Sequence, residues 1–262
     1  MSISQICMRT VLPILLAGMS VSACSNTKWV ATSNNAERSL YSDPGFGFQA
    51  MKGKTLAVGG MVLADGAALD EYCDIGVSRR QLTYEVQAGL WSPQLNSAVM
   101  NLTPEVEIQY WHTVQNAAPA ELVEATHSTV AHHGIIKPNI MQDWAKILPE
   151  ADYLALARID NTWLDGTGQS DWSRAEGLGR VVVITLDICD LRQGRSVWSY
   201  EVQKHVWSRD SGAATGEKED TGGMSGVEDH GTTQTAPKLQ DALDDALDEV
   251  VKKLRQSQVK KK

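Results

Sequence analysis

The sequence predicts an α/β fold of the α+β-like kind, with a single mixed β-sheet and helices packed mainly on one face. Three observations support this prediction. Apolar runs of strand length recur along the chain, two alternating strands flank one tight turn, and the C-terminal segment repeats apolar residues at helical spacing. With 262 residues, 42% hydrophobic and 21% charged, the chain is long enough for one sizeable domain. We therefore predict the order β-α-β-α-α-β-β-β-α.

The first elements are a central strand and a helix. Residues 55–63 are apolar at almost every position, which is typical of a strand buried on both faces of a sheet. Residues 78–81, Ser-Arg-Arg-Gln, have the form of a capping box, so we expect a helix to begin there. Four residues continue at helical spacing: Leu82, Val86, Gly89 and Leu90.

The middle of the chain predicts one more strand and two or three helices. A short strand is expected around residues 98–102, ended by Pro104. Residues 105–133 favour one helix or two, broken near Pro119, and Pro138 begins a further helix that runs to Leu148.

The second half predicts a strand meander. Residues 151–159 form a strand that extends toward Trp163, and residues 180–191 form the next strand. Residues 192–195 form a hairpin turn, in which Gly194 suits the positive φ of a bulge. Residues 197–207 alternate, with one set of side chains expected to face one way and the other to face water: Trp198, Tyr200, Val202 and Val206 against Ser199, Glu201, Gln203 and His205.

A final amphipathic helix is predicted after Pro237. Acidic residues stand early and basic residues late in this segment, which matches the helix dipole. Its apolar residues form one stripe at helical spacing, which we expect to pack on the sheet: Leu239, Ala242, Leu243, Ala246, Leu247, Val250, Val251 and Leu254.

The N-terminus predicts a lipoprotein signal peptide over residues 1–23. Residues 11–19 form an apolar run that is too short to span a bilayer. Residues 21–24, Val-Ser-Ala-Cys, match a bacterial lipobox, so we expect cleavage before Cys24 and fatty acylation of that cysteine. Two or three acyl chains anchor a protein effectively irreversibly. In the lipoprotein families that this motif resembles, a serine such as Ser25 after the cysteine implies sorting to the outer membrane.

Composition divides the rest into a tether, one domain and two charged segments. Residues 24–50 are rich in Ser, Asn, Thr and Gly and predict a flexible tether, in which residues 43–48 hold both phenylalanines and are a candidate for docking on the domain edge. Residues 51–258 predict a single periplasmic domain, in which residues 210–236 form a mobile acidic loop. Residues 259–262 form a basic tail.

Two cysteines remain after cleavage, Cys73 in a predicted loop and Cys189 on a predicted strand. An even pair in an oxidising periplasm can form a disulfide, and two inert buried thiols are the alternative. Neither cysteine accompanies a histidine motif in the way that a catalytic nucleophile does.

The chemical candidates are few. His127, His132 and His133 cluster near a helix end but lack the cysteine or carboxylate ligands of a recognisable metal spacing. We therefore predict no catalytic residue, no metal and no cofactor, and keep a zinc-dependent hydrolase built on these histidines as an alternative. A net charge of −8 and a pI near 5.3 argue against nucleic acid or an anionic lipid surface as the main partner.

Eight tryptophans accompany only two phenylalanines. Trp163 and Trp172 flank a predicted loop, and Trp207 ends the last strand beside the acidic loop. Exposed tryptophans mark protein contacts, so these three are candidate partner-binding residues, with partial burial at strand ends as the alternative. The tryptophans on predicted helices are expected in the core: Trp91, Trp111 and Trp144.

Three segments carry a resemblance to a known family. They are residues 54–58, Lys-Thr-Leu-Ala-Val, residues 150–158, Glu-Ala-Asp-Tyr-Leu-Ala-Leu-Ala-Arg, and the hairpin 183–200 with its Asp-Leu-Arg-Gln-Gly-Arg-Ser-Val-Trp turn. With the lipobox, tether and C-terminal helix, they resemble the curli-secretion (CsgG-type) lipoprotein superfamily, which includes the LpoB-type outer-membrane activators of penicillin-binding proteins. The resemblance covers about residues 54–254.

This resemblance implies two functions. The LpoB-type branch implies a non-enzymatic lipoprotein that binds a protein partner in cell-envelope assembly, which is our leading prediction. The CsgG-type branch implies an oligomeric secretion component, which inserts amphipathic β-hairpins into the membrane, and we find no spare hairpin for that purpose. Homo-oligomerisation through an exposed sheet edge is a structural alternative.

Overall fold

The computed structural model describes residues 35–69, 78–165, 179–207 and 237–258, and the backbone of residues 30–31; of Asp165 and Trp207 it describes the backbone alone. Within these residues, every helix is too short or too polar to span a bilayer. The predicted fold class is confirmed, because the described strands form a single mixed sheet accompanied by five helices. The strands are β1 (Val30–Ala31), β2 (Ala36–Ser42), β3 (Thr55–Leu63), β4 (Glu107–Gln109), β5 (Tyr153–Asp165), β6 (Gly179–Asp190) and β7 (Arg195–Trp207).

The helices are α1 (Tyr84–Met100), α2 (Trp111–Ala117), α3 (Ala120–His133), α4 (Pro138–Ile147) and α5 (Leu239–Gln256). The sheet has the order β1-β7-β6-β5-β3-β4, and β2 also pairs with β7. β4, β3 and β5 are parallel, whereas β5, β6 and β7 form an antiparallel meander. Helices α1 and α5 pack against each other and against the sheet.

The meander and α5 form as predicted. The hairpin turn between β6 and β7 contains Gly194 at φ +64°, a left-handed conformation that glycine adopts without strain. Every residue of the predicted α5 stripe is buried, because the 3.6-residue period places all eight on one face. These elements depend on local periodicity, which is visible in the sequence.

The second strand lies elsewhere than predicted. Residues 98–102 were expected to form a strand, but α1 continues to Met100 and buries Ala98 and Val99. β4 instead occupies Glu107–Gln109, inside the stretch predicted as helix. Three residues are too few to show a period, and β4 is held by parallel pairing with β3 rather than by local propensity.

α1 also begins later than predicted and turns a different face inward. The capping box at Ser78 closes a short 3₁₀ turn, Arg79–Gln81, and Thr83 caps α1 by accepting a hydrogen bond from the backbone N–H of Val86. Val86 and Leu90, which set the predicted spacing, are exposed. The buried face carries Trp91 and Leu95 together with polar residues that bind β3, described below.

Part of the predicted tether is folded. Residues 36–42 form β2 on the outer side of β7. Residues 43–54 then run from β7 to the start of β3 along one end of the sheet; we call this segment the strap and this end the strap end. Phe46 and Phe48 are buried, so the phenylalanine motif docks on the domain as expected. The folded domain therefore begins before residue 51, because β2 takes its hydrogen bonds from the distant strand β7 and its sequence shows no apolar period of its own.

Two residues of β7 that were expected to face water are buried. Ser199 and His205 are 6% and 2% exposed, although they alternate with the core residues of the strand. They pair across the sheet with Asp187 and Val181 of β6, which are also buried. The second face of the meander is therefore polar and partly closed.

Candidate functional site

In the C-terminal half of β3, after Ala57, one edge of the strand is not paired with any described strand. β4 pairs only with residues up to Ala57, so the backbone groups beyond that point need other partners. Side chains of α1 supply them. Ser92 Oγ accepts a hydrogen bond from the Met61 N–H at 3.0 Å, and Gln87 Oε1 accepts one from the Leu63 N–H at 2.8 Å. Both polar side chains are buried because they replace a missing strand.

A pair of glycines lets α3 approach the same edge. His127 Nε2 lies 2.9 Å from the Gly59 carbonyl oxygen, and the His127 ring packs against Trp111 with 5.3 Å between centroids. Gly60 has φ +111°, and a Cβ there would lie 2.6 Å from His127 Nε2. Only glycine therefore fits at Gly60. Paired glycines inside an apolar strand are a sequence signal of such close approach. Our interpretation of residues 55–63 missed this signal.

His127 is neutral in this environment. Burial lowers its pKa, and the hydrogen bond to Gly59 opposes this only in part. In the neutral ring Nε2 donates to the carbonyl, which leaves Nδ1 as an acceptor. Nδ1 is buried and has no hydrogen-bond partner among the described residues.

Beside this edge lies a cleft of about 960 Å³, which we call the β3-edge cleft. It is bounded by the start of α1, the end of α2 and the first half of α3. Its lining includes three carboxylates and, among the described residues, no lysine or arginine. The lining residues are Asp65, Leu82, Thr83, Tyr84, Glu85, Gln87, Gln115, Asn116, Ala118, Ala120, Val123, Glu124 and His127. A cleft with apolar patches and an acidic rim suits a segment that carries both an apolar and a basic group.

The predicted histidine cluster does not converge. His127 points to β3, whereas His132 Nδ1 contacts the Asp65 carboxylate and His133 lies beside His132 with 6.0 Å between ring centroids. In the part of the chain that the structure describes, no three His, Cys, Asp or Glu residues are grouped so as to hold a metal ion. The geometry gives the zinc-hydrolase alternative no support.

The candidate tryptophans are only partly described. Trp163 lies near the end of β5 and is 39% exposed. The register places Asp165 opposite Gly179, and Gly179 opposite Trp207, so the positions of Trp163 and Trp207 lie at the same end of the sheet. We call this end the tryptophan end. Trp172 lies outside the described residues. The tryptophans predicted for the core are buried: Trp91, Trp111 and Trp144.

The cysteines yield one observation. Cys189 is fully buried on β6, and burial raises the pKa of its thiol well above the ordinary value, so it is inert as a nucleophile. It forms no disulfide with any described residue. Cys73 and Cys24 lie outside the described residues, so the Cys73–Cys189 disulfide and the lipidation of Cys24 stay predictions.

Buried carboxylates occupy the polar face of the meander. Asp160 forms an ion pair with Arg158 and accepts a hydrogen bond from Thr185 Oγ1 at 2.5 Å. Asp187 is 4% exposed, and its Oδ1 has no hydrogen-bond partner among the described residues. Burial raises the pKa of Asp187 to about 7. This charge is therefore poorly compensated at neutral pH.

No protein-family model matches the sequence, and no curated protein sequence matches it. Solved structures do match. The PelC dodecamer from Paraburkholderia phytofirmans is 16% identical with a TM-score of 0.38, and the match covers 84% of this chain and 97% of that chain. The LpoB C-terminal domain from Salmonella enterica is 10% identical with a TM-score of 0.33, over 58% of this chain and 83% of that one.

The lipoprotein GNA1162 from Neisseria meningitidis is 12% identical with a TM-score of 0.34, over 61% of this chain and 88% of that one. LpoB belongs to the group that the sequence motifs resemble, so the predicted resemblance is confirmed as a similarity of structure at low sequence identity.

Proposed function

We propose that this chain is a non-enzymatic outer-membrane lipoprotein, anchored through Cys24, that binds a protein partner of the cell envelope through the β3-edge cleft. The lipobox at residues 21–24 supports the anchor. The sequence motifs of the hairpin and of residues 150–158 support the LpoB-like role.

The observation that carries the binding role is the cleft itself. Glu85 of α1 and Glu124 of α3 are exposed carboxylates of the lining, which also includes the largely buried apolar residues Leu82 and Val123. His127 is held neutral at its base and cannot offset the acidic charge. A partner segment with a lysine or arginine beside an apolar side chain complements this surface.

The anchor is tested by intact-mass analysis of the protein purified from envelope membranes. We expect the mature chain to begin at Cys24 and to carry the mass of two or three acyl chains. A chain that begins at another residue, or that carries no acyl mass, would refute the anchor.

The cleft is tested by photo-crosslinking in cells, with a photoreactive amino acid at Gln115 of the full-length protein. We expect one envelope protein to be captured, and the adduct to be lost in the variant Glu85→Lys with Glu124→Lys. The matched control, Glu121→Lys with Glu150→Lys, makes the same charge change at exposed positions outside the cleft and should keep the adduct. Equal yields in both variants would exclude the cleft as the binding site.

A second candidate, an oligomeric envelope component, is favoured by the exposure of β2. This strand lies at the edge of the sheet and is exposed at six of its seven positions, including Leu40 and Tyr41. An edge of this kind can pair with a second copy. Size-exclusion chromatography with light scattering separates the two functions, since a ring predicts a mass several times that of one mature chain, and this mass should fall when Leu40 is changed to proline.

A further inference from the structure

The N-terminal chain joins the sheet at its tryptophan end. β1 pairs with the last residues of β7, with Val30 opposite Trp207. The Asn35 side chain accepts a hydrogen bond from the His205 backbone N–H at 3.0 Å, which fixes the start of β2 at the same end. β2 then runs toward the strap, ending with Ser42 opposite Trp198. The lipid-bearing end of the chain therefore emerges beside Trp207.

This pairing makes the membrane tether short. Cys24 precedes Val30 by six residues, and an extended chain spans at most about 3.6 Å per residue, so Cys24 lies within about 22 Å of Val30. The strap lies at the other end of β7, a strand of 13 residues and hence roughly 40 Å long. An acyl chain on Cys24 thus holds one end of the sheet near the bilayer, while the strap can lie far from it.

Apolar side chains are exposed at this near end. Trp163 and Leu164 are 39% and 37% exposed near the end of β5. Val30 is level with Asp165 through the pairs Val30–Trp207, Trp207–Gly179 and Gly179–Asp165. Three strand spacings separate these two positions by about 14 Å. Trp163, two residues before Asp165, therefore lies at the same end of the sheet as the point at which the tether leaves.

We propose that the tryptophan end of the sheet faces the bilayer and that Trp163 and Leu164 contact the lipid headgroup region. This orientation rests on the lipid anchor of the proposed function. Tryptophan favours the membrane–water interface, where its ring is buried and its indole N–H still finds a partner. A bilayer surface therefore buries apolar area that water would otherwise contact. The β3-edge cleft, beside the carboxyl half of β3, is then held close to the membrane.

The test uses the full lipidated protein in vesicles of phosphatidylethanolamine and phosphatidylglycerol. A genetically encoded fluorescent amino acid replaces Trp163 in one variant and Met100 in a matched control. Met100 is 53% exposed but lies at the end of α1, away from the tryptophan end. Quenching is then measured with lipids that carry a nitroxide just below the headgroup.

We expect quenching at position 163 to exceed quenching at position 100 at least threefold. Equal quenching, or stronger quenching at position 100, would overturn the orientation while leaving the anchor intact, provided that the protein floats with the vesicles. A protein that fails to float, and whose Cys24 carries no lipid by mass, would overturn the anchor and this orientation together. A probe at position 163 that is unquenched in vesicles but crosslinks to a protein in cells would assign Trp163 to a partner protein and overturn the lipid contact.

Discussion

Polar groups are paired with opposite charges at the strap end of the sheet, whereas several in the remainder of the sheet are left without such partners among the described residues. At the strap end, Asp152 accepts a hydrogen bond from the Thr55 N–H and forms ion pairs with Lys54 and Arg192. Further ion pairs there join residues that are distant in sequence: Asp43 with Arg195, Glu105 with Lys52, and Glu105 with Arg255. Short turns and ion pairs therefore hold the segments at the strap end together.

From the level of Gly60 toward the tryptophan end, some polar groups of the same sheet lack a pairing strand or a hydrogen-bond partner among the described residues. One edge of β3 is covered by side chains in place of a strand, and a cleft lies against it. Asp187, which is opposite Leu156 and thus level with Gly60, keeps a buried oxygen without a described partner. Paired charges therefore stabilise the strap end, whereas the other region carries the cleft at which we propose that a partner binds. Functional regions commonly carry such local costs.

The largest effect is expected where a buried carboxylate is poorly compensated. Burial raises the pKa of Asp187 to about 7, against about 3.9 in the unfolded chain. The folded state holds the proton more tightly, so the free energy of unfolding falls as the pH rises from about 4 to about 7. Asp187→Asn should raise the free energy of unfolding at pH 8 by up to about 4 kcal/mol and flatten its pH dependence.

Urea titrations at pH 5 and pH 8 check this prediction. The exposed Asp143→Asn serves as the control and should leave both curves unchanged. A variant at Asp187 that is less stable at pH 8 than the wild type would show that this carboxylate is well compensated.

The next effect contrasts two glycines with positive φ. Gly60→Ala places a Cβ 2.6 Å from His127 Nε2, so strain and overpacking should together cost on the order of 3 kcal/mol. Gly53, at the strap end, has φ +69° and nothing within 4 Å of an added Cβ, so Gly53→Ala should cost only about 1 kcal/mol. Thermal unfolding measures both losses of stability. Equal losses would show that His127 of α3 does not pack tightly against Gly60 of β3.

A third prediction concerns the charge of Asp152 at the strap end. Asp152→Asn keeps the shape of the side chain but loses the ion pairs to Lys54 and Arg192, whose side chains are largely exposed, and we expect a loss of about 1 kcal/mol. Asp152 and Asp187 should therefore respond to the same change with opposite signs. Urea titration at pH 8 compares them directly, and a shared sign would remove the distinction between the two regions.

The smallest effect on stability is expected in the cleft. Glu85→Lys with Glu124→Lys changes exposed side chains, so the free energy of unfolding should stay within about 0.5 kcal/mol of the wild type. Urea titration checks this value. A large loss of stability would mean that any lost crosslink reflects unfolding rather than a damaged binding surface.

The sequence predicted those parts of the fold that repeat locally. The α5 stripe and the β6–β7 hairpin follow from periods of 3.6 and 2 residues together with one turn glycine. The cleft could not be predicted in this way. Gln87 and Ser92 look like exposed polar residues of a helix, and they are buried only because β4 stops short and β3 needs their oxygen atoms. β2 was missed for a similar reason, since its partners on β7 lie more than 100 residues away.

The most direct test of the account is a crosslinking scan in cells that compares the two ends of the full-length protein. Photoreactive residues at Gln115 and Asn116 probe the cleft, and residues at Lys52 and Arg192 probe the strap end. We predict that the cleft positions capture an envelope protein and that the strap-end positions capture none. Capture from the strap end, with none from the cleft, would contradict the assignment of binding to the β3-edge cleft.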